Sequence, residues 1–361
     1  ARNILASVIS AFGEKCPEAT SAEHTAINLI RKWAGSESDG IQVSSVSQRI
    51  RPTQVRISWY SPTGVFVHDP QSDDGNTQHP LRVKTAGKST KDSTAPLLIP
   101  GTSIRGALRA RCSRIARTVL YAKSGPPEEK SFVAADEKGN HRPIDIHEQL
   151  ARDPNLVRYM FGTTEYRGAI RIKDCITTEL GSYLKVTHNA IDRWTGGVVE
   201  GLLFNEVIYP HATWNDIVIE VDTARLLQNV KTESGIGGLS LDECLPFARA
   251  SWCLLCIALA ELSASTLSLG GRTTRGHGQV EVTSLSLSGA DGQVVNTPEE
   301  AFLWKRNDSS EDDTHKGATA LLAYLRNKTE EQPSYEGWAD HLQKLEDPTN
   351  EASDSNESNK Q

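Results

Sequence analysis

Leu97-Leu-Ile-Pro-Gly-Thr-Ser-Ile-Arg-Gly-Ala-Leu-Arg-Ala-Arg-Cys-Ser-Arg-Ile-Ala-Arg-Thr-Val-Leu, residues 97–120, is the stretch on which the fold turns. It opens as a tight turn and runs into a helix, where Thr102 or Ser103 can cap the free backbone N–H groups. Ile104, Leu108, Cys112, Ile115 and Val119 fall within about 80° of one another at 100° per residue, which predicts one narrow core-facing stripe. Upstream, Val55-Arg-Ile-Ser-Trp-Tyr alternates as a strand does. Downstream, strands are expected at 168–176, 201–209 and 217–221, then a largely apolar helix over 241–265 and a last strand from Gln279. The order strand, helix, strands, helix, strand predicts an α+β class domain. It is the ferredoxin-like, RRM-like βαββαβ arrangement expanded by long insertions.

The remaining segments frame that body. Residues 2–34 read as two short helices, the second opening on the capping box Thr20-x-x-Glu23. Ser61 to Pro96 is rich in Gly, Pro, Ser, Thr and Asp and reads as a long surface loop. Two amphipathic pieces follow Asn296, around Leu321, Leu322 and Leu325 and around Trp338, Leu342 and Leu345. The expected division is a helical extension over 1–50, the ferredoxin-like domain over 51–290, a helical extension over 291–346 and a disordered acidic tail over 347–361.

The net charge of −7 divides unevenly. Residues 307–361 carry 13 acidic and 5 basic residues, so the acidity belongs to the C-terminal part and the body is close to neutral. Within the body, residues 101–120 hold five arginines (Arg105, Arg109, Arg111, Arg114, Arg117) and no acid, which points to an anionic partner. Six scattered cysteines argue against a disulfide scaffold, and Cys253-x-x-Cys256 lies in an apolar run with no second ligand pair, so both are expected in the core. No Ser stands in a G-x-S-x-G elbow, which removes serine-hydrolase chemistry. No apolar run reaches the ~18 residues of a membrane span, and Ala1-Arg-Asn-Ile lacks the features of a signal peptide. No membrane association and a cytoplasmic location are therefore expected.

Two glycine-rich elements join backbone freedom to arginine. At Gly101, Thr102 and Ser103 a turn meets a helix start, where N–H groups and the helix dipole favour a phosphate, with Arg105 and Arg109 one turn apart beside it. Gly270-Gly-Arg-Thr-Thr-Arg-Gly-His-Gly has four glycines in nine residues together with Arg272, Arg275 and His277. Such a loop admits either an anion or another backbone. It is not a Walker motif, and each element alone is equally a plain turn between packed elements.

In this order and spacing, these elements resemble the RAMP superfamily, the repeat-associated proteins of CRISPR effector complexes. Ile99-Pro-Gly-Thr-Ser-Ile-Arg-Gly-Ala-Leu-Arg is similar to that family's signature turn and helix, and Gly270 to Val280 to its C-terminal glycine-rich loop. Met160-Phe-Gly followed by a strand ending at Asp174 resembles the segment between them. Asn189-Ala-Ile-Asp-Arg-Trp-Thr-Gly-Gly resembles the thumb region of type III backbone subunits, placing a thumb hairpin at about 181–201.

The resemblance implies a subunit lined up along a CRISPR guide RNA, with other RAMP-family subunits and target RNA as its further partners. Gly101, Thr102, Ser103, Arg105, Arg109, Gly270, Gly271, Arg272, Arg275, Gly276, His277 and Gly278 would hold phosphates, with Asp192 and Arg193 at the thumb. An A-form guide is held by backbone charge and shape, and 6% aromatic content speaks against base stacking as the main source of affinity. The resemblance further implies that cleaving members use an aspartate two residues before a Pro-aliphatic pair, with a divalent metal such as Mg. Here Gln78-His79-Pro80-Leu81 puts an amide at that position. The leading expectation is a non-cutting RNA-holding subunit without a cofactor. The alternatives are a metal-dependent endoribonuclease acting through Asp73 or Asp74, in the segment that also carries Asp92, and a generic ferredoxin-like interaction module.

Overall fold

In a computed structural model of the chain, the described residues are 52–84, 95–124, 133–135, 141–143, 152–233, 240–289, 294–295, 300–306, 315–326 and 335–346. The two N-terminal helices, the whole of 1–50, Asp92 and the tail 347–361 lie outside them.

In chain order the strands are β1 (Thr53–Tyr60), β2 (Thr77–Gln78), β3 (Leu98–Ile99), β4 (Val133–Ala135), β5 (His141–Pro143), β6 (Ile170–Ile172), β7 (Cys175–Glu179), β8 (Leu184–Ile191), β9 (Val198–Ile208), β10 (Thr213–Trp214), β11 (Ile217–Val221), β12 (Glu281–Ser288) and β13 (Glu300–Lys305). The helices are α1 (Gly101–Ser124), α2 (Asn155–Phe161), α3 (Thr223–Glu233), α4 (Leu241–Ser263), α5 (Lys316–Arg326) and α6 (Trp338–Glu346).

β1 is central. It pairs antiparallel with β12 on one side and with β11 and β10 on the other. β11 pairs with β6 and β10 with β7, so these four short strands form two interrupted long ones. The order β12, β1, β10/β11, β6/β7, with α1 and α4 as the crossovers, is the ferredoxin-like 4-1-3-2 sheet. β13 extends it beyond β12, and β3 beyond β7.

The interruptions have a local cause. Asn215 replaces a ladder bond with its side chain, its Oδ1 accepting from Ile176 N at 2.9 Å. Asp174, in the break between β6 and β7, accepts from Gly101 N at 2.7 Å and so caps α1. Thr102 and Ser103 are exposed residues inside the first turn, not its caps. The cap comes from a strand break 73 residues away because the helix begins directly at Gly101.

Alternation along β1 buries Val55, Ile57 and Trp59 on the helix-covered face. Ile104, Leu108 and Cys112 of α1 are buried as the stripe requires. α4 is the core helix, packed by α1, α2, α3, α5 and α6. It has the length and apolar composition of a membrane span, contrary to the expectation that no such run exists. Its length comes from an N-terminal half that includes Pro246 at the start and Ala248 and Ala250 among the buried residues, and 67% of its apolar window is buried within the protein. Cys253 and Cys256 are core residues on it. α5 and α6 dock on the body through Leu321, Leu325 and Leu342.

One expected core strand belongs elsewhere. Residues 201–209 fall in β9, which pairs with β8 in a hairpin running from Leu184 to Ile208, longer than the expected 181–201. Its alternation is genuine, but most of its partners are in the hairpin, with β2 added in parallel to its base.

Candidate nucleic-acid interface

Three segments meet at the base of the hairpin: residues 61–84, the glycine-rich loop 269–279, and β8–β9. Residues 61–84 are not simply a surface loop. Val65, Phe66, Asp69 and Arg82 are buried, because Phe66 bridges to Gly271 and β2 lies beside Asn205 and Glu206. Gly271 N donates to Phe66 O at 2.7 Å and Gly278 N to Gly64 O at 2.8 Å, so much of the glycine-rich loop's backbone freedom is spent on close packing. Gly278 has φ +82°, and a Cβ there would lie well inside contact distance of the Leu269 carbonyl oxygen. Gly101 is required by approach alone, since a Cβ would strike the carbonyl of Ile172.

The loop's tip is a 3-10 turn, Thr273–Arg275, flanked by Arg272 and Gly276 in the left-handed region. From it, two guanidinium groups converge on Glu206 of β9, whose side chain is 0% exposed. Arg272 Nε lies 2.6 Å and Arg275 Nη1 2.8 Å from Glu206 Oε1, while His188 Nε2 of β8 lies 3.0 Å from Oε2. Arg272 also donates to Gln78 Oε1 at 2.6 Å and stands over the Phe66 ring, and Arg275 stands over Phe204. Both arginines keep about a third of their side-chain surface exposed (32% and 36%). His277 is pinned to Thr63 O through Nδ1 at 3.2 Å and serves the loop's packing.

The arginines of α1 are placed differently. Arg105 donates to Phe161 O and stands over its ring, and burial lowers its pKa, with Arg109 and Arg167 adding repulsion. Arg109 pairs at 2.8 Å with the buried Asp153, which also accepts from Ser113 Oγ and approaches Arg117. Among the predicted phosphate contacts, Thr102 and Ser103 are exposed, while the N–H of Gly101 is taken by Asp174.

Asp192 builds the hairpin tip: its Oδ1 accepts from Trp194 N at 2.7 Å, and Gly196 N donates to its backbone carbonyl at 2.8 Å. Arg193 beside it is exposed, and Trp194 is 96% exposed. Ile191, Val198, Leu202 and Leu203 are each more than half exposed, an apolar hairpin surface of the kind that marks an interaction site.

The candidate catalytic acids are committed to local contacts. Both carboxylate oxygens of Asp73 contact His68 Nε2, at 3.1 and 3.0 Å, and Oδ1 also accepts from His79 N. Asp74 is exposed and forms a two-way backbone turn with Thr77. Gln78 carries the Arg272 guanidinium, so a fixed cation stands at the position where the resemblance requires a metal-binding carboxylate. Among the described residues no group of three or more His, Cys, Asp or Glu converges on one point. These residues do not fit a bound divalent cation.

The sheet, hairpin and glycine-rich loop together define a ferredoxin-like protein with a cationic, hairpin-bearing face. The family model of the RAMP superfamily matches residues 76–281, more than half of the chain, and the chain belongs to that superfamily, whose themes are CRISPR association and RNA binding. Among curated proteins no relative matches it.

Glu206 and His188 escaped the sequence reading, and Asp174 entered it only as the end of a strand, not as the cap of α1. A lone acid in the apolar run Leu202-Leu-Phe-Asn-Glu-Val-Ile was the available signal for Glu206, because such an acid must find cations if its face is buried.

Proposed function

We propose that this chain is a guide-RNA-holding backbone subunit of a type III CRISPR effector complex that binds without cutting. Its partners on this reading are the CRISPR guide RNA, the target RNA and neighbouring RAMP-family subunits, in the cytoplasm. The observation that carries the reading is the hairpin with an exposed apolar tip, braced at its base by the arginines of the glycine-rich loop. An apolar wedge supported by a cationic base suits a duplex that is gripped by its phosphates and interrupted at intervals. Gln78 in its pairing with Arg272 supports the absence of cutting, because an amide supplies neither a metal-binding charge nor a general base.

The test is binding of a guide RNA and its labelled target to the purified chain over a range of salt, in the presence of Mg2+. Salt-sensitive binding, a footprint that loses its regular interruptions when residues 192–197 are replaced by a short turn, and an intact target are expected. Cleavage abolished by Asp73→Ala or Asp74→Ala would establish the nuclease alternative. RNA binding that is absent at all salt concentrations would leave only an interaction module.

A further inference from the structure

Glu206 is a fully buried carboxylate on a strand whose outer half is solvent-exposed. Burying such a charge is costly unless it is paired on every side. Its two oxygens are divided between two bodies of the protein. Oε2 faces His188 of β8 at ion-pair distance without a hydrogen bond; His188 stands directly opposite Phe204 of β9 and is therefore the diagonal neighbour of Glu206 on the same face of the hairpin. Oε1 takes both arginines of the glycine-rich loop. β2 closes the arrangement, because its Gln78 lies beside Glu206 in register and receives Arg272.

The charges do not cancel. One carboxylate against two guanidinium groups leaves an excess of one positive charge, and it lies on side chains that remain about one-third exposed. A guanidinium has five N–H donors in a rigid fork. Arg272 donates one terminal nitrogen to Gln78 and holds its buried Nε 2.6 Å from Glu206 Oε1 as an ion pair without a hydrogen bond, while Arg275 donates Nη1 to the same oxygen. The left-handed backbone of Arg272 turns the loop so that the two forks meet at one oxygen. The remaining N–H groups of two pre-oriented forks, carrying one unit of charge, match one singly charged phosphodiester.

We propose that Glu206 is a positioning residue: it locks the glycine-rich loop to the base of the hairpin and tunes Arg272 and Arg275 to accept a single RNA phosphate between them. This rests on the reading of the chain as an RNA-holding subunit. The carboxylate touches no RNA itself. It sets both the direction of the arginines and their net charge, so that loop and hairpin meet the RNA as one unit.

The test uses the full chain and a single-stranded RNA. Each added phosphate contact steepens the log–log salt dependence of binding by about 0.7 for single strands. Glu206→Gln removes the internal counter-charge, so the slope should steepen by about 0.7. Affinity lost between 50 and 200 mM salt then grows roughly two- to threefold. Hydrogen exchange should rise together in residues 184–208 and 270–278. Glu206→Asp, which keeps the charge on a shorter stem, should keep the wild-type slope.

Arg275→Gln covers the case in which Glu206→Gln does not fold. It leaves Glu206 paired with Arg272 and no surplus charge, so the slope should fall by about 0.7. An unchanged slope in either Gln variant, or exchange rising in only one of the two segments, overturns the proposal. A wild-type chain with no salt-sensitive RNA binding overturns the functional reading instead, and the paired rise in exchange then judges the brace by itself.

Discussion

Three glycine-to-alanine changes separate backbone strain from collision in the turn elements of this fold. Gly276 has φ +86° and open space around the position of a Cβ. Alanine there carries only the left-handed penalty, roughly 1–2 kcal/mol. Gly101 has no positive φ, but its Cβ would meet the Ile172 carbonyl, so helix α1 must move off β6, and the overpacking cost is about 1–3 kcal/mol. Gly278 combines both, with φ +82° and the Leu269 carbonyl in the way, for a total of ~2–5 kcal/mol. Urea unfolding of the three variants reads these losses as midpoint shifts at constant slope. The expected order is Gly278→Ala worst and Gly276→Ala mildest. RNA binding should follow a different order, because Gly276 is at the exposed tip directly after Arg275 whereas Gly101 is a packing contact. Gly278→Ala as stable as Gly276→Ala would refute the close approach of residues 269 and 278 from which the cost is worked.

Asp153→Ala strands Arg109 in a largely buried site and also removes the acceptor of Ser113, so a loss of about 3–5 kcal/mol is expected by denaturant titration, in contrast to the exposed Arg56–Asp216 pair, whose removal should cost less than ~1 kcal/mol. Burial raises the thiol pKa of Cys175 and Cys253 to about 12 and that of Cys112 and Cys256 upward as well, so all four should resist iodoacetamide at pH 8 in the folded chain and react after unfolding, as mass spectrometry of the labelled peptides will show. Ser240→Ala removes the capping box of α4 and should cost about 1 kcal/mol by thermal or urea melting. The Glu243 carboxyl is held below its ordinary value by the Ser240 backbone N–H and then its hydroxyl, so its contribution is present above the usual carboxylate pKa and is lost as pH falls through the lowered folded value; the gap between the wild type and Ser240→Ala should therefore narrow in acid by the share of the hydroxyl–carboxylate bond, while the share of the Glu243 N–H cap remains.

The ferredoxin-like order was legible because its signals are long. The α1 stripe from Ile104 to Val119, the alternation of β1 and the apolar run of α4 each extend over enough residues for periodicity to decide. β3 and β10, with two residues each, have no periodicity to read. Alternation in β9 identified a strand but not its sheet, since a period of two says which residues share a face and nothing about what lies beside them. Residues 61–84 looked like a solvent loop from their Gly, Pro and Asp content. Their buried Phe66, Asp69 and Arg82 depend on the hairpin base and the glycine-rich loop, which lie more than 100 residues further along the chain.

The site was half legible for the same reason. Arg272 and Arg275 stand out in a glycine-rich run, and their position on the cationic face follows from it. Their partner Glu206 is invisible until β9 is placed, because local sequence does not encode which distant carboxylate an arginine will meet. Asp174 is similar: its role as the cap of α1 requires the break between β6 and β7, which Asn215, in the matching break between β10 and β11, makes possible. Arg105 and Arg109 are the opposite case, in which a strong local cationic signal is partly taken up by a carbonyl and a buried aspartate that the local sequence does not reveal.

The most direct test of the account is the sequence of the RNA that accompanies the chain when it is purified from cells carrying a CRISPR array. A guide-holding subunit should retain short RNAs that share repeat-derived sequence, and should lose them at high salt and in a chain with Arg272 and Arg275 both replaced by Gln. Purified chain that carries no RNA, or RNA without any repeat-derived sequence, would contradict it.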